Sequence, residues 1–218
     1  MPVNYIDRFV HIQGKTIFKN GEKIFQGIDV DLEKFSIQTY KHLGIDYPKF
    51  FKMDKVSRWG FLAAELLIRD NPLLLTVPAE EVGIILSNAS GSMDADLEFL
   101  KSTEQIASPA LFVYTLPNIV IGELCIRHGF KGENSFFVMD RFDSQWIGFQ
   151  VDYTLNEQQA SVCLAGWVEV MQEEADVFLY LAHKNSGKGQ MEHTGENIGN
   201  CYQINYGKSE VEIKGANH

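Results

Sequence analysis

The sequence predicts a layered α/β fold, because segments with strand character alternate along the chain with segments of helical periodicity. Two stretches carry most of that prediction. Between residues 53 and 69 the apolar positions Val56, Trp59, Leu62, Ala63, Leu66 and Leu67 recur at helical spacing, and Asn71 with Pro72 stops the pattern. Val82, Gly83, Ile84, Ile85, Leu86 and Ser87 form a short, almost unbroken apolar run, which reads as a central strand covered on both faces.

The other elements follow in order. Residues 5–18 mix β-branched and aromatic side chains around Gly14, and Asn20 with Gly21 is a two-residue turn signal ahead of Lys23, Ile24 and Phe25; together they read as an N-terminal β-hairpin. Residues 94–106 are helical by the spacing of Leu97, Leu100 and Ile106, with Ser92 as a cap. Residues 117–128 form the next helix, closed by Gly129. Ser135, Phe136, Phe137, Val138 and Met139 read as a second buried strand, a short helix runs over 144–153, and 161–170 and 176–182 make a final strand pair. Past His183 the composition turns to Gly, Asn, Lys and His. Two short apolar runs remain at 202–206 and 211–213, with Gly207 and Lys208 between them, so 185–218 reads as an exposed polar hairpin or tail behind a domain over 1–184.

Composition removes several classes of function. A chain of 218 residues with 45% apolar content can bury a sizeable core in one domain. A formal charge of −10 opposes nucleic-acid binding, which draws its affinity from clustered Lys and Arg. No apolar run approaches the roughly 20 residues that span a bilayer, and the first residues lack a basic-then-apolar leader, so no membrane partner and a cytoplasmic location are expected. Cys125, Cys163 and Cys201 are odd in number and widely spaced, which fits free thiols. The six histidines show no metal-binding spacing, and no cofactor is expected. The triplet Asn88, Ala89, Ser90 is chance in a chain without a secretion signal, and Gly207, Lys208, Ser209 lacks the first glycine of a phosphate loop, Tyr202 standing there. Lys41, Lys49, Lys52, Lys55 and Arg58 form the one locally basic stretch. It could meet an acidic carrier protein, although solvated helix and loop positions explain it as well.

The most specific pattern runs from Ser108 to Met139. It joins an S-P-x-L-F-x-x-T-L-P-N segment (Ser108 to Asn118), a helix carrying Gly122 and Glu123, a Gly129–Phe130–Lys131–Gly132 turn and an apolar strand. In that order these parts resemble the N-terminal half of a β-ketoacyl-carrier-protein synthase of the thiolase superfamily, and the resemblance extends over about 84–169. It implies a thiolase-like half: a single layered sheet with helices. In active members of that family the strand leads into a strained turn bearing a cysteine at a helix N-terminus, where backbone N–H groups lower its pKa and hold the oxyanion. Here the turn reads Asp140, Arg141, Phe142, Asp143, Ser144, and a gap-free count from Gly132 puts Arg141 in the nucleophile register. Arginine cannot form an acyl thioester. The histidines and lysine that such enzymes take from a second half have no counterpart in this chain either.

What this state resembles is the chain-length factor, in the short form found with aryl-polyene and flexirubin-type pigment synthases. The resemblance implies a non-catalytic subunit that forms an obligate or near-obligate dimer with a full-length ketosynthase, meets acyl-carrier protein indirectly, and can form a homodimer in isolation. It implies Leu111, Phe112, Tyr114 and Thr115 as side chains at the floor of the partner's acyl tunnel, and Ser135 to Met139 as the strand that pairs across the dimer. Leu111 and Phe112 read equally well as core. Two other readings stay open: an acyl-thioester hydrolase or transferase using Asp140, Asp143 or Cys163, and a homodimeric acyl-binding module.

Overall fold

The computed structural model describes residues 2–28, 30–104, 106–184 and 191–204. Among them eight strands form one sheet: β1 Tyr5–Gln13, β2 Thr16–Lys19, β3 Glu22–Gln26, β4 Val82–Asn88, β5 Asn134–Val138, β6 Val162–Met171, β7 Glu174–His183 and the short β8 Met191–Glu192. Their spatial order is β3-β2-β1-β7-β6-β4-β5, with β8 paired to the start of β1. β4 runs parallel to both β5 and β6; every other pairing is antiparallel. The expected layered α/β fold is present, and its N-terminal hairpin is longer than expected: a second turn at Gly14 makes β1, β2 and β3 a meander.

Among the described residues there are seven α-helices: α1 Leu32–His42, α2 Lys55–Ile68, α3 Met93–Ser102, α4 Pro109–Phe112, α5 Ile119–His128, α6 Ser144–Glu157 and α7 Gly195–Gln203. The periodicity over 53–69 becomes α2, started by Asp54, whose carboxylate accepts the Ser57 N–H. Gly129 takes a left-handed φ of 75° and returns its N–H to the Cys125 carbonyl, ending α5 as expected of a glycine cap. α1 escaped the sequence reading because its buried stripe mixes Leu32, Phe35 and Tyr40 with Ser36 and Thr39. Those two hydroxyls donate to the helix's own carbonyls, at Glu33 and Phe35, and so tolerate burial.

Two cores flank the sheet. One packs α1, α2 and α5 against one face through Phe35, Trp59, Leu62, Leu124 and Leu179. The other packs α6 and α7 against the opposite face through Ile147, Val151, Phe178 and Ile198. β4 is buried at all seven positions, as a strand between β6 and β5 with a core on each side must be. It is interior without being the middle strand.

Several expectations are corrected. The helix read over 94–106 ends at Ser102, and Ile106 lies outside it, exposed. Its Leu97 and Leu100 face solvent, so their helical spacing marks an outward apolar stripe. Ser92 sits at the cap position, but its hydroxyl bonds Asp96 and the Thr115 carbonyl instead of a helix N–H. β5 is an edge strand with no fully buried residue, not the buried strand that was expected. Beyond residue 184, β8 and α7 pack on the domain, and Tyr202 closes a helix instead of opening a strand. Gly207, Lys208 and the 211–213 run lie outside the described residues.

Candidate functional site

The β5–α6 turn is where chemistry was expected. Arg141 lies there in an exposed bend, and Asp143 occupies the helix cap: one carboxylate oxygen accepts the N–H groups of Gln145 and Trp146, both at 3.0 Å. The donors that could hold a developing oxyanion at this helix end are thus already taken by an internal anion. Phe142 turns inward, its ring 4.6 Å from Tyr202 and 5.5 Å from Phe178, and fills the space behind the turn with aromatic carbon.

None of the three cysteines is poised to react. Burial pushes all three thiols up, Cys201 to about 11, and Cys163 is wholly enclosed in β6. Asp140 and Asp143 are exposed, the latter engaged as a cap. Among the described residues no group of three or more His, Cys, Asp or Glu could hold a metal ion, and no single helix is long and apolar enough to cross a membrane.

The Ser108 to Asn118 segment folds as α4 followed by a 3-10 turn, Val113–Thr115, with Ser108 as the N-cap of α4. It divides the four tunnel candidates. Tyr114 points inward, its hydroxyl donating to Glu123 at 3.0 Å, while Lys49 reaches the other Glu123 oxygen at 2.6 Å. Burial and the Glu123 carboxylate push the Tyr114 hydroxyl pKa up, so it stays a proton donor. Leu111 and Thr115 are half-buried, and Phe112 stands 56% exposed with its ring 5.4 Å from Phe99 of α3.

Around Phe112 the surface is apolar. Met93, Leu97 and Leu100 on α3 join Phe112, Val113 and Leu116, all largely exposed. The patch reaches the free edge of β5: a side chain begun at Gly91 would meet both Pro117 and Val138 within 4.0 Å, and Val138 is itself 59% exposed. Among the described residues β5 has no strand on its outer side, so exposed apolar side chains lie close to an open strand edge. The sequence held its signal in the helical spacing of Leu97 and Leu100, which marks an apolar stripe without saying what covers it.

The basic stretch, by contrast, is largely neutralised within the fold. Lys49 pairs with Glu123, Lys55 with Asp94 at 3.0 Å and Arg58 with Glu33 at 3.2 Å. Two buried histidines that looked isolated in sequence have aspartate partners: His193 Nδ1 lies 2.8 Å from Asp152, and His11 Nε2 lies 2.8 Å from Asp176. Tyr180, held protonated by burial, faces the other His193 nitrogen at 3.2 Å, and Asn4 donates to Asp152. Burial would raise the Asp152 pKa, but the hydrogen bonds from His193 and Asn4 outweigh it and hold the carboxyl low. This network ties β8 and α7 to α6 and β7.

No protein-family model matches the chain, and no curated protein matches it. Solved structures do. It superposes on the ishigamide ketosynthase/chain length factor with a TM-score of 0.60 at 15% identity, covering 86% of this chain and 64% of that one. On AntDE:AntF, described as a type II polyketide-synthase acyl-carrier protein in complex with its ketosynthase, the TM-score is 0.57 at 13% identity, with 84% of this chain and 62% of that one covered. On the ketosynthase ApeO in complex with its chain length factor ApeC from Xenorhabdus doucetiae it is 0.53 at 12%, with 86% and 81% covered. The fold is the ketosynthase/chain-length-factor fold. The thiolase-like architecture expected from the 108–139 pattern is therefore present, in a chain that spans less than two thirds of the first two structures' length.

Proposed function

We propose that this chain is a non-catalytic, chain-length-factor-like subunit that pairs with a full-length, active β-ketoacyl-carrier-protein synthase and shapes its acyl tunnel. The observation that carries the reading is the β5–α6 turn: the nucleophile register holds Arg141, and Asp143 occupies the α6 N-terminal donors. Beside that turn lies an apolar surface ending on an open strand edge, which suits a subunit that completes another chain. Antiparallel pairing of β5 with the partner's edge strand would continue the sheet across the contact. Acyl-carrier protein would then meet the partner, not this chain.

Phe112 and Leu111 are the side chains this reading places at the tunnel floor, with Thr115 beside them. Tyr114 is set apart as their internal anchor. A bulky ring at the end of a filled apolar tunnel opposes two further carbons by about 1–3 kcal/mol, which shifts the ratio of longer to shorter products on the order of tenfold.

Co-expression with a full-length ketosynthase from the same genome should give a stable 1:1 complex on gel filtration; separate elution of the two chains would sink the proposal. In the complex, Phe112→Ala should lengthen the acyl products, and an unchanged distribution would remove the gate role. Incubating the isolated chain with an acyl-CoA or acyl-carrier thioester should leave its intact mass unchanged. A covalent adduct would restore the hydrolase or transferase reading.

A further inference from the structure

α3 has two faces. Met93, Leu97 and Leu100 look outward, while Ser92 at the cap position, Ala95, Phe99 and Ser102 recur at helical spacing and so share the other side of the helix. That inner face grips the Ser108 to Thr115 segment at its start, its middle and its end. The Ser102 hydroxyl accepts the Ser108 N–H at 3.1 Å where the segment begins, and the Ser92 hydroxyl donates to the Thr115 carbonyl at 2.9 Å where it ends. Between them the half-buried Phe99 ring lies 5.4 Å from the ring of Phe112, with the two planes at 56°.

The two serines hold backbone, and backbone alone leaves the Phe112 ring free to turn. That ring is largely exposed, and among the described residues no other aromatic ring contacts it or Phe99. An exposed phenylalanine exchanges among its staggered rotamers within nanoseconds. A tilted ring pair favours one of those rotamers by about two- to tenfold. On the far side of the segment Glu123 ties down the Tyr114 hydroxyl, so the turn is anchored from both sides and the direction of the Phe112 ring is the freedom that remains. Phe99 is the side chain placed to remove it.

We infer that Phe99 is a positioning residue for Phe112: it holds that ring in one direction and, through it, sets the product length at which the acyl tunnel stops. The inference rests on the tunnel-floor reading of Phe112 proposed above, and adds to it a residue that acts only through Phe112. When Phe99 loses its ring, Phe112 gains rotamers that turn away from the end of the acyl chain. The stop then softens, and products spread to greater length without reaching the distribution given by removing Phe112 altogether.

Two measurements test it, with Phe99→Leu chosen because it keeps apolar volume on α3 while removing the ring. In the isolated chain, p-fluorophenylalanine placed at position 112 gives a fluorine resonance that reports the surroundings of that ring. Phe99→Leu should move the resonance toward its unfolded-chain position, and Phe99→Tyr, which retains a ring, should leave it near the parent's. A resonance unmoved by Phe99→Leu overturns the inference. In the complex with the full-length ketosynthase, acyl products are compared by mass spectrometry. Phe99→Leu should raise the ratio of longer to shorter products by about two- to tenfold. Phe99→Tyr should keep the parental ratio, and F99L/F112A should match Phe112→Ala alone. Longer products from Phe112→Ala but not from Phe99→Leu overturn the inference and leave the gate reading standing; unchanged products from both variants remove both. A double variant that exceeds Phe112→Ala alone shows Phe99 acting independently of Phe112, and also overturns it.

Discussion

At the scale of single residues, Glu123 is the pivot of the site. It is buried, takes the Tyr114 hydroxyl on one oxygen and Lys49 on the other, and so fixes the turn that presents Phe112. Tyr114→Phe should cost about 1 kcal/mol in urea unfolding, the usual net worth of such a bond, and Phe112→Ala close to nothing in the isolated chain. A midpoint shifted more by Phe112→Ala than by Tyr114→Phe would reverse the assignment of anchor and exposed ring. Burial also holds the His128 and His183 imidazoles below their usual 6.5, outweighing the opposing carboxylates of Glu65 at His128 and Asp7 at His183, so the folded state disfavours their protonated forms. The unfolded chain then binds more protons below about pH 6.5, and stability should fall as pH drops from 7 toward 5. His128→Gln should flatten part of that slope in thermal melts at stepped pH; an identical pH profile would show that the histidine titrates normally in the fold.

At the scale of elements, α7 is held by close approach. Gly148 on α6 faces Ile198 and Gly195, and Gly199 faces Ser144, so small residues spaced four apart on both helices bring the backbones together. Gly148→Leu should displace α7, lowering the melting temperature and making the 191–204 segment protease-sensitive; resistance equal to the parent would contradict this packing. Gly166 is constrained more tightly still: with φ at 145°, a Cβ there would lie 2.0 Å from the Phe178 carbonyl oxygen across the β6–β7 ladder. Gly166→Ala should therefore give little soluble folded protein, since neither backbone can yield inside two cores. α2, α5, β4 and the β6–β7 pair were legible in the sequence because apolar residues dominate each buried stripe or run, despite single polar residues such as Glu65, Glu123 and Ser87. α1 and α7 were not, because hydroxyls and glycines occupy positions that pattern reading expects to be apolar.

For the whole molecule, the exposed rings and branched side chains of α3, α4 and β5 are at odds with a net charge of −10, which favours dispersion. The isolated chain should self-associate with rising concentration, and more strongly in salt that screens the charge. The triple substitution Phe112→Ser, Leu116→Ser and Val138→Lys should yield a monomer by analytical ultracentrifugation and abolish binding to the ketosynthase. Persistent self-association would show that another surface drives it. The strand Ser135 to Met139 was visible in the sequence, and the family resemblance implied a dimer contact for it; among the described residues the strand runs Asn134–Val138 and lies at the edge of the sheet.

The sequence by itself determined the α/β class, the position of the turn after β5 and the absence of cysteine from it, since these depend on local periodicity and residue identity. Tertiary structure alone decided which apolar residues became core and which became surface. Leu97, Leu100 and Phe112 carry the same chemistry as Leu62, Leu66 and Phe61, and only the sheet order and the placing of the helices leave the first three facing water. Periodicity records that a face is apolar; what covers it depends on contacts between residues far apart in the chain, which no local pattern encodes.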